Sequence, residues 1–174
     1  VSAEAVTDGV TVNEPYWGNY GTEGDSGWVE IDLGGEKSFD NVKVFFVQDP
    51  LTTGHSYVAP QRWVVELPDG DGGWAPIEDQ FRSPKIPGAK LNEALFEAVT
   101  ADKVRVSFTN APGKYTAISE IQVFDSGRDV PPVVNEAPVV SVQVDDTRQG
   151  NLTTGLLATV TDDGIPVTGS LTYG

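Results

Sequence analysis

Residues 28–35 (WVEIDLGG) limit the possible folds of this chain more than any other stretch. Apolar side chains from Val29 to Leu33 alternate with acidic ones, which is the period-two pattern of a half-buried β-strand. A Gly-Gly pair is expected to stop this strand, and a second apolar run, NVKVFFV at 41–47, follows at once. Two adjoining strands of this kind indicate the middle of an antiparallel β domain, whose function is decided by its loops.

The composition favours an all-β class and narrows the set of partners. The 174 residues include 19 Gly and 12 Pro, so turns must be frequent and long helices are disfavoured. A formal net charge of −15 argues against nucleic acid as a partner, because binding would begin with repulsion. There is no Cys, which excludes disulfides and thiolate metal sites. No apolar run reaches the roughly 18 residues of a membrane-spanning helix, so no membrane insertion is expected.

The same patterns predict further strands in the first two-thirds of the chain. They lie at 62–67 (RWVVEL), 74–77, 92–99, 103–109 (KVRVSFT) and 117–124 (AISEIQVF). The turn sequence PDGDGG at 68–73 predicts that the first two of these form a hairpin. Residues 2–13 are predicted as a looped entry and residues 79–91 as a connection. The loop at 48–61 contains the only His and is long for a hairpin connection, which is typical of a functional loop.

A change of composition divides the chain. Residues 127–138 (GRDVPPVVNEAP) are rich in proline and lack periodicity, which indicates a linker between a domain at 1–126 and a segment at 139–174. Two strands, 139–144 and 156–161, and a turn at 162–164 are predicted within that segment. It is too short for a core of its own. We interpret it as the first strands of a partial immunoglobulin-like domain.

The order of elements between Asp8 and Phe124 resembles the discoidin, or coagulation factor 5/8 type C, domain. The resemblance rests on Asp8-Gly9 before an aromatic loop and on the motifs WVEIDLG, NVKVFF, RWVVEL with its DG turn, KVRVSF and AISEIQVF. It implies an antiparallel β-sandwich of eight strands, the galactose-binding-like jelly roll, similar to bacterial carbohydrate-binding modules of family 32. It also implies a structural calcium held by Asp8 and Glu120, with Asn13 as a further oxygen ligand.

A sugar site in water requires an aromatic face for the C–H patch of the ring and a few fixed polar groups for the hydroxyls. The resemblance implies such a site on the loops at one end of the sandwich. The candidates are His55 and Arg62 as the polar pair, Asn110 or Asn19 as the amide, Tyr57, Tyr20 and Tyr115 as platforms, and Lys114 as an extra donor.

These residues can also be interpreted as having structural roles that involve no ligand. A lone loop His is usually solvated, and Arg62 can simply pair with a carboxylate. Trp28, Trp63 and Trp74 occur in strand patterns and are expected in the core. Two interpretations are equally open for Trp17: it fills the core, or it lines the sugar site.

Catalysis by this chain is not expected. No nucleophile-elbow motif precedes a Ser, and a single His without Cys cannot form a usual zinc site. The leading hypothesis is a non-catalytic carbohydrate-binding module of a secreted bacterial glycoside hydrolase. It would bind a galactose-type or other glycan beside the catalytic domain of the same parent chain. The alternatives are a structural spacer or protein-interaction β-sandwich that binds no sugar, and an adhesion domain for a host glycan or protein.

Overall fold

The computed structural model describes residues 3–12, 15–22, 24–48 and 56–131, together with two strands at 139–145 and 155–161. The chain divides into two compact units, Val1–Val133 and Val134–Gly174. The division falls inside the proline-rich stretch 127–138. None of the described helices is long and apolar enough to cross a membrane.

The first unit is an antiparallel β structure, as the sequence predicts. It contains a short 3₁₀ helix, Ala3–Thr7, and the strands β1 (Trp17–Gly18), β2 (Ser26–Phe46), β3 (Arg62–Pro68), β4 (Trp74–Pro76), β5 (Phe81–Ser83), β6 (Lys90–Thr109) and β7 (Ala117–Phe124). The strand order is β1-β7-β2-β6-β3-β4, and β5 pairs with β6 beside this path. The described part of this unit therefore has seven strands, where the resemblance implies eight.

The prediction that the Gly-Gly pair ends its strand was wrong, because β2 continues through both glycines. Gly34 and Gly35 adopt positive φ angles of 72° and 126°, and the register between β2 and β6 breaks between Asp32 and Lys37. Conformations of this kind are accessible to glycine without a side-chain clash. The two predicted strands are consequently one long strand that is irregular at the glycines. The predicted strands 92–99 and 103–109 likewise join into β6.

The long pair β2–β6 contributes to both layers of a sandwich. The first part of β2 pairs with residues 103–109 of β6; these residues pair in turn with β3, and β3 pairs with β4. The second part of β2 pairs with residues 90–95 of β6 and with β7. Rings from the two layers meet in the core: Phe46 and Trp63 lie 6.1 Å apart, centroid to centroid. The layer made of β4, β3, 103–109 and 26–32 is called the outer layer below.

Both ends of β2 therefore lie at the same end of the sandwich. The Asn110 N–H donates to the Asp25 carbonyl at 2.7 Å, just before β2 begins. The Val47 N–H donates to the Ala117 carbonyl at 2.9 Å, just after β2 ends. The loops that precede β2, precede β3 and connect β6 to β7 are thus neighbours in space.

The tryptophans divide between the core and the surface. Trp63 is 1% exposed in the core, as predicted, and Trp17 packs against the core with its ring 6.0 Å from that of Phe108. Trp28 is 54% exposed and Trp74 is half-buried, so their predicted core positions were wrong. The reason is the alternation of a strand: Val29 is buried, so its neighbour Trp28 points to the opposite face.

Two segments predicted without regular structure contain short elements. The entry at 2–13 includes the 3₁₀ helix, and the connection at 79–91 includes β5. Gln80 fixes the latter segment, because its buried amide accepts from the Val65 N–H at 3.0 Å and donates to the Val65 carbonyl at 2.8 Å. A side chain thus replaces a strand partner, which the hydrophobic pattern does not reveal.

The end of the first unit is fixed to β2 by Asp40. This carboxylate is 5% exposed and accepts the N–H groups of Ser126 at 2.6 Å and Gly127 at 2.8 Å. Burial raises the pKa of Asp40, but the hydrogen bonds from Ser126, Gly127 and Arg128 outweigh burial and hold that pKa below its ordinary range. The guanidinium of Arg128 also donates to both oxygens of Glu93 at 3.1 Å.

The second unit contains β8 (Val139–Asp145) and β9 (Gly155–Thr161), which pair antiparallel along their whole length. These strands confirm the two predicted at 139–144 and 156–161. The predicted turn at 162–164 lies outside the described residues. The assignment of this unit to an immunoglobulin-like domain stays a prediction.

Candidate functional site

Four tyrosines meet at the end of the sandwich where the loops gather, and we call Tyr16, Tyr20, Tyr57 and Tyr115 the tyrosine cluster. The ring of Tyr20 lies 5.0 Å from that of Tyr115 and 6.5 Å from that of Tyr57, centroid to centroid. Tyr16 lies 5.5 Å from Tyr57. All three contacts are edge-to-face, the geometry that the charge distribution of aromatic rings favours.

A buried asparagine holds together the two loop segments that carry Tyr20 and Tyr115. Asn19 is 3% exposed, and its Oδ1 accepts the Thr116 N–H at 2.8 Å while its own N–H donates to the Thr116 carbonyl at 3.1 Å. Its Nδ2 donates to Oδ1 of Asn110 at 3.2 Å. Because Tyr20 follows Asn19 and Tyr115 precedes Thr116, these bonds bring the two tyrosine rings into contact.

Tyr57 supports the cluster from inside. It is 2% exposed, and it forms an isolated parallel bridge with Tyr115. A Cβ added at Gly18 would come within 2.7 Å of the Tyr57 hydroxyl oxygen, so the ring lies directly over the glycine backbone. Burial on this scale revises the expected role of Tyr57, because a ring with no open face cannot be a stacking platform. Tyr20, which is 53% exposed, presents the open ring.

The remaining predicted polar residues are distributed around the cluster. Lys114 is exposed in a turn closed by its N–H to the Ala111 carbonyl at 2.9 Å. Arg62 is exposed at the start of β3, opposite Thr109. Asn110 is 5% exposed, and its side chain accepts from Asn19, so it lies beneath the cluster rather than on its surface. His55 lies outside the described residues, immediately before Ser56.

A second candidate site contains residues predicted to bind calcium. The Gly9 N–H donates to Oε2 of Glu120 at 3.1 Å, and Oδ1 of Asp8 accepts the Val10 N–H at 2.8 Å. The structure therefore brings the Asp8-Gly9 turn onto Glu120, a carboxylate that is only 4% exposed. Asn13 lies outside the described residues. Across the described residues, no three His, Cys, Asp or Glu side chains form a metal-binding group.

Two residues of this end have roles that were not predicted from the sequence. Tyr16 was not among the candidate site residues, and Asn19 was a candidate amide for the sugar, whereas the structure buries it as a support. The sequence shows only that Tyr16 and Tyr20 lie on either side of Asn19 in a Gly-rich stretch. What the sequence does not contain is the partner of Asn19, which lies 97 residues away at Thr116.

Comparison with known proteins places the fold. Residues 5–106 match the model of the F5/8 type C family described as the NedA-like, galactose-binding domain, and the chain belongs to this family. The predicted resemblance to that family is thereby confirmed.

Solved structures agree at the level of the fold. A structure of the β-galactosidase BgaA of Streptococcus pneumoniae is 21% identical, with a TM-score of 0.60 over 70% of this chain and 84% of that one. A chitosan-binding module from a chitosanase/glucanase of Paenibacillus is 17% identical, with a TM-score of 0.51 over 70% of this chain and 82% of the module. A GH29 fucosidase of Ruminococcus gnavus is 25% identical, with a TM-score of 0.51 over 71% of this chain but 22% of the fucosidase.

Proposed function

We propose that the first unit is a non-catalytic carbohydrate-binding module whose site is the tyrosine cluster. The observation that carries this proposal is Tyr20, a half-exposed ring seated edge-to-face on Tyr115 and on the buried Tyr57. An exposed aromatic side chain on an ordered aromatic support matches the apolar face of a pyranose ring without needing to reorganise. Membership of the galactose-binding family and the carbohydrate-active neighbours in structure support the same assignment.

The polar groups around Tyr20 would orient a bound sugar through hydrogen bonds. Lys114 is a cationic donor on a long side chain in the turn beside Tyr115, and Arg62 is a planar cationic donor at the start of β3. Both are exposed, and His55 precedes the segment that pairs with Tyr115. Neutral sugar hydroxyls accept hydrogen bonds from such donors, and the sugar loses little water-exposed surface at an open end. We therefore expect affinities on the order of mM to µM for a single sugar unit.

We propose further that calcium stabilises this fold at Asp8 and Glu120. A carboxylate as buried as Glu120 is costly without a compensating charge, and no ion pair of the described residues includes it. The donor set is oxygen only, as calcium prefers. Two carboxylates do not complete its coordination, so backbone carbonyls of the 8–12 loop, and Asn13, would supply the rest. Calcium would contribute stability here and no chemistry.

The setting we propose is a secreted bacterial glycoside hydrolase. The module would hold the catalytic domain of the same chain near its polysaccharide and raise the local concentration of substrate. Structural neighbours that occur in a β-galactosidase, a fucosidase and a chitosanase/glucanase favour this setting. The activity of the parent enzyme is then separate from the binding described here.

The test is a glycan-array screen of the full chain in calcium-containing buffer, with galactose, N-acetylgalactosamine and arabinose ligands. We expect a hit that Tyr20→Ala abolishes while the melting temperature is unchanged, because Tyr20 is largely outside the packed interior. Phe124→Ala is the matched control, since Phe124 is an exposed aromatic residue, 42% accessible, outside the cluster. A folded protein that binds no glycan would contradict the proposal and favour the spacer or protein-interaction role.

A further inference from the structure

We infer that the surface of the outer layer is a second contact surface for the same glycan, so that a sugar chain anchored at Tyr20 extends over Trp28. This inference rests on the proposed function and deepens it from a single-sugar site to an extended one. The surface, called the tryptophan face below, is made of Trp28, Glu30, Glu66, Trp74, Arg105 and Ser107.

The centre of the tryptophan face is a guanidinium held between two indole rings. The guanidinium carbon of Arg105 lies 4.2 Å from the ring centroid of Trp28 and 4.0 Å from that of Trp74. Nη2 of Arg105 donates to Oε2 of Glu30 at 3.2 Å, and Lys103 donates to the other oxygen of Glu30 at 3.2 Å. Stacking and charge pairing together fix the orientation of the Trp28 ring.

The exposed part of Trp28 has the properties of a sugar platform. Arg105 covers one face of the ring, and 54% of the residue is nevertheless open to solvent. Polar groups lie beside it at fixed positions: Ser107 is the register partner of Trp28, and its hydroxyl donates to Glu66. A fixed aromatic face flanked by oriented hydroxyl and carboxylate groups is the combination that binds a neutral sugar in water.

The charge of the outer layer selects the class of ligand. Its strand segments carry three basic residues, Arg62, Lys103 and Arg105, and three acidic ones, Glu30, Asp32 and Glu66. The layer is therefore neutral in a chain whose formal net charge is −15. A polyanion finds no excess of positive charge here, and a basic peptide finds no excess of negative charge. A neutral glycan is the occupant that this balance fits.

The tryptophan face is continuous with the tyrosine cluster. Ser26 of β2, Thr109 of β6 and Arg62 of β3 stand side by side in one row at the end of the outer layer. Asn110 follows Thr109 and is bonded to Asn19, the residue before Tyr20. Trp28 is two residues along β2 from Ser26, which is about 7 Å at the rise of an antiparallel strand. A linear glycan that leaves Tyr20 over this row therefore reaches Trp28 within a few sugar units.

Affinity as a function of chain length tests the inference. The full chain is titrated calorimetrically with galactose and with linear di- and tetrasaccharides of galactose, and in parallel with the N-acetylgalactosamine and arabinose series. We expect the tetrasaccharide to bind about tenfold more tightly than the monosaccharide, which is the order of one added aromatic contact. Trp28→Ala should remove this gain and leave monosaccharide binding unchanged. Trp28→Phe should keep much of the gain, and Phe124→Ala should keep all of it.

The outcomes separate the two proposals. A folded Trp28→Ala protein that retains the full gain overturns the extended site and leaves the tyrosine site intact. Tetrasaccharide binding that requires Trp28 but not Tyr20 supports the tryptophan face and overturns the tyrosine site as the anchor. If no sugar of any length binds, both proposals fall. If Trp28→Ala does not fold, amide NMR of the wild-type chain decides. The tetrasaccharide, but not the monosaccharide, should shift the amide resonances of Ser107 and Thr109. Resonances that the tetrasaccharide leaves unshifted overturn the inference.

Discussion

Tyr20 in the tyrosine cluster and Trp28 on the tryptophan face are both half-exposed aromatic rings, but they are supported by different physics. Tyr20 rests on other rings, in loops joined by the neutral amide of Asn19. Trp28 rests on the guanidinium of Arg105, which the register of the sheet and the charge of Glu30 hold in place. An exposed ring can thus be ordered either by a buried neutral network or by a partly exposed ionic one.

The difference determines how each surface responds to mutation and to solution conditions. Removing a buried polar group leaves its partner unsatisfied, which costs about 1–3 kcal/mol of stability. Removing one member of an exposed ionic stack costs less, because water replaces part of what is lost. We therefore expect substitutions of the buried members of the tyrosine cluster to cost more stability than substitutions on the tryptophan face, and we expect the tryptophan face to respond to acid through Glu30.

The largest expected effect is that of Tyr57→Ala. Tyr57 is 2% exposed and packs against Tyr16 and Tyr20, so the substitution leaves a cavity. We expect the free energy of unfolding to fall by about 3 kcal/mol, as for other buried aromatic residues, measured by chemical denaturation. Tyr20→Ala is the control and should change stability by less than about 0.5 kcal/mol. Equal losses for the two variants would contradict the division into support and platform.

Asn19→Ala should have the next largest effect. It removes the acceptor of the Thr116 N–H and the donor to Asn110, both in buried surroundings. We expect a loss of about 2 kcal/mol, and faster hydrogen exchange at the Thr116 amide. The control is Thr22→Ala, which removes one hydroxyl bond to the Asn19 carbonyl at an exposed position. A Thr116 amide that stays protected in Asn19→Ala would show that Asn19 does not hold the loop.

Arg105→Lys tests the tryptophan face with a smaller change. An ammonium cannot stack as a plane between Trp28 and Trp74, so the rings should lose their order while the charge is kept. We expect a loss of about 1 kcal/mol and a weaker near-ultraviolet dichroism signal from tryptophan. Lys103→Arg is the matched control, because Lys103 contacts Glu30 outside the stack. An unchanged dichroism spectrum in Arg105→Lys would argue that the rings are ordered without the guanidinium.

The smallest expected effect is the dependence on pH that Glu30 gives the tryptophan face. Hydrogen bonds from Lys103 first, and then from Arg105, outweigh burial and lower the pKa of Glu30 from its ordinary 4.5. A lowered folded-state pKa means that the contribution of Glu30 to stability is complete above pH 4.5 and is lost as the pH falls through that lower value.

The stability difference between the wild-type chain and Glu30→Gln measures this contribution. It should be constant from neutral pH down to about 4.5 and shrink below it. The tyrosine rings are held by ring contacts and by the amide of Asn19, so the near-ultraviolet signal of tyrosine should hold where that of tryptophan weakens. A difference that grows on acidification would contradict the assigned direction of the pKa.

Local alternation was sufficient to predict most strands. Apolar residues occupy every second position around Val29 and around Val104, and a strand with this pattern is buried on one face in almost any sheet. The same pattern placed 62–67, 103–109 and 117–124 correctly. It failed at Gly34 and Gly35, because a glycine pair permits a strand to end or to bend, and only the pairing with β6 decides which.

The candidate site was only partly accessible from the sequence. Tyr20, Tyr57 and Tyr115 were selected together, but which of the three is exposed depends on how much neighbouring chain covers each ring. Trp28 was expected in the core because it occurs in a strand pattern, but the alternation about the buried Val29 places it on the opposite face. The stack with Trp74 is not visible in the sequence, since Arg105 and both tryptophans come from three different strands.

The sequence by itself determined the antiparallel β class, the family and the acidic charge of the chain, because these follow from local periodicity, motif order and composition. The tertiary structure decided that β2 runs through its glycines, that Tyr57 is a support and that Arg105 lies between two indoles. Those features arise from contacts between residues far apart in the chain. Their free energies depend on register and burial, which no local window of sequence contains.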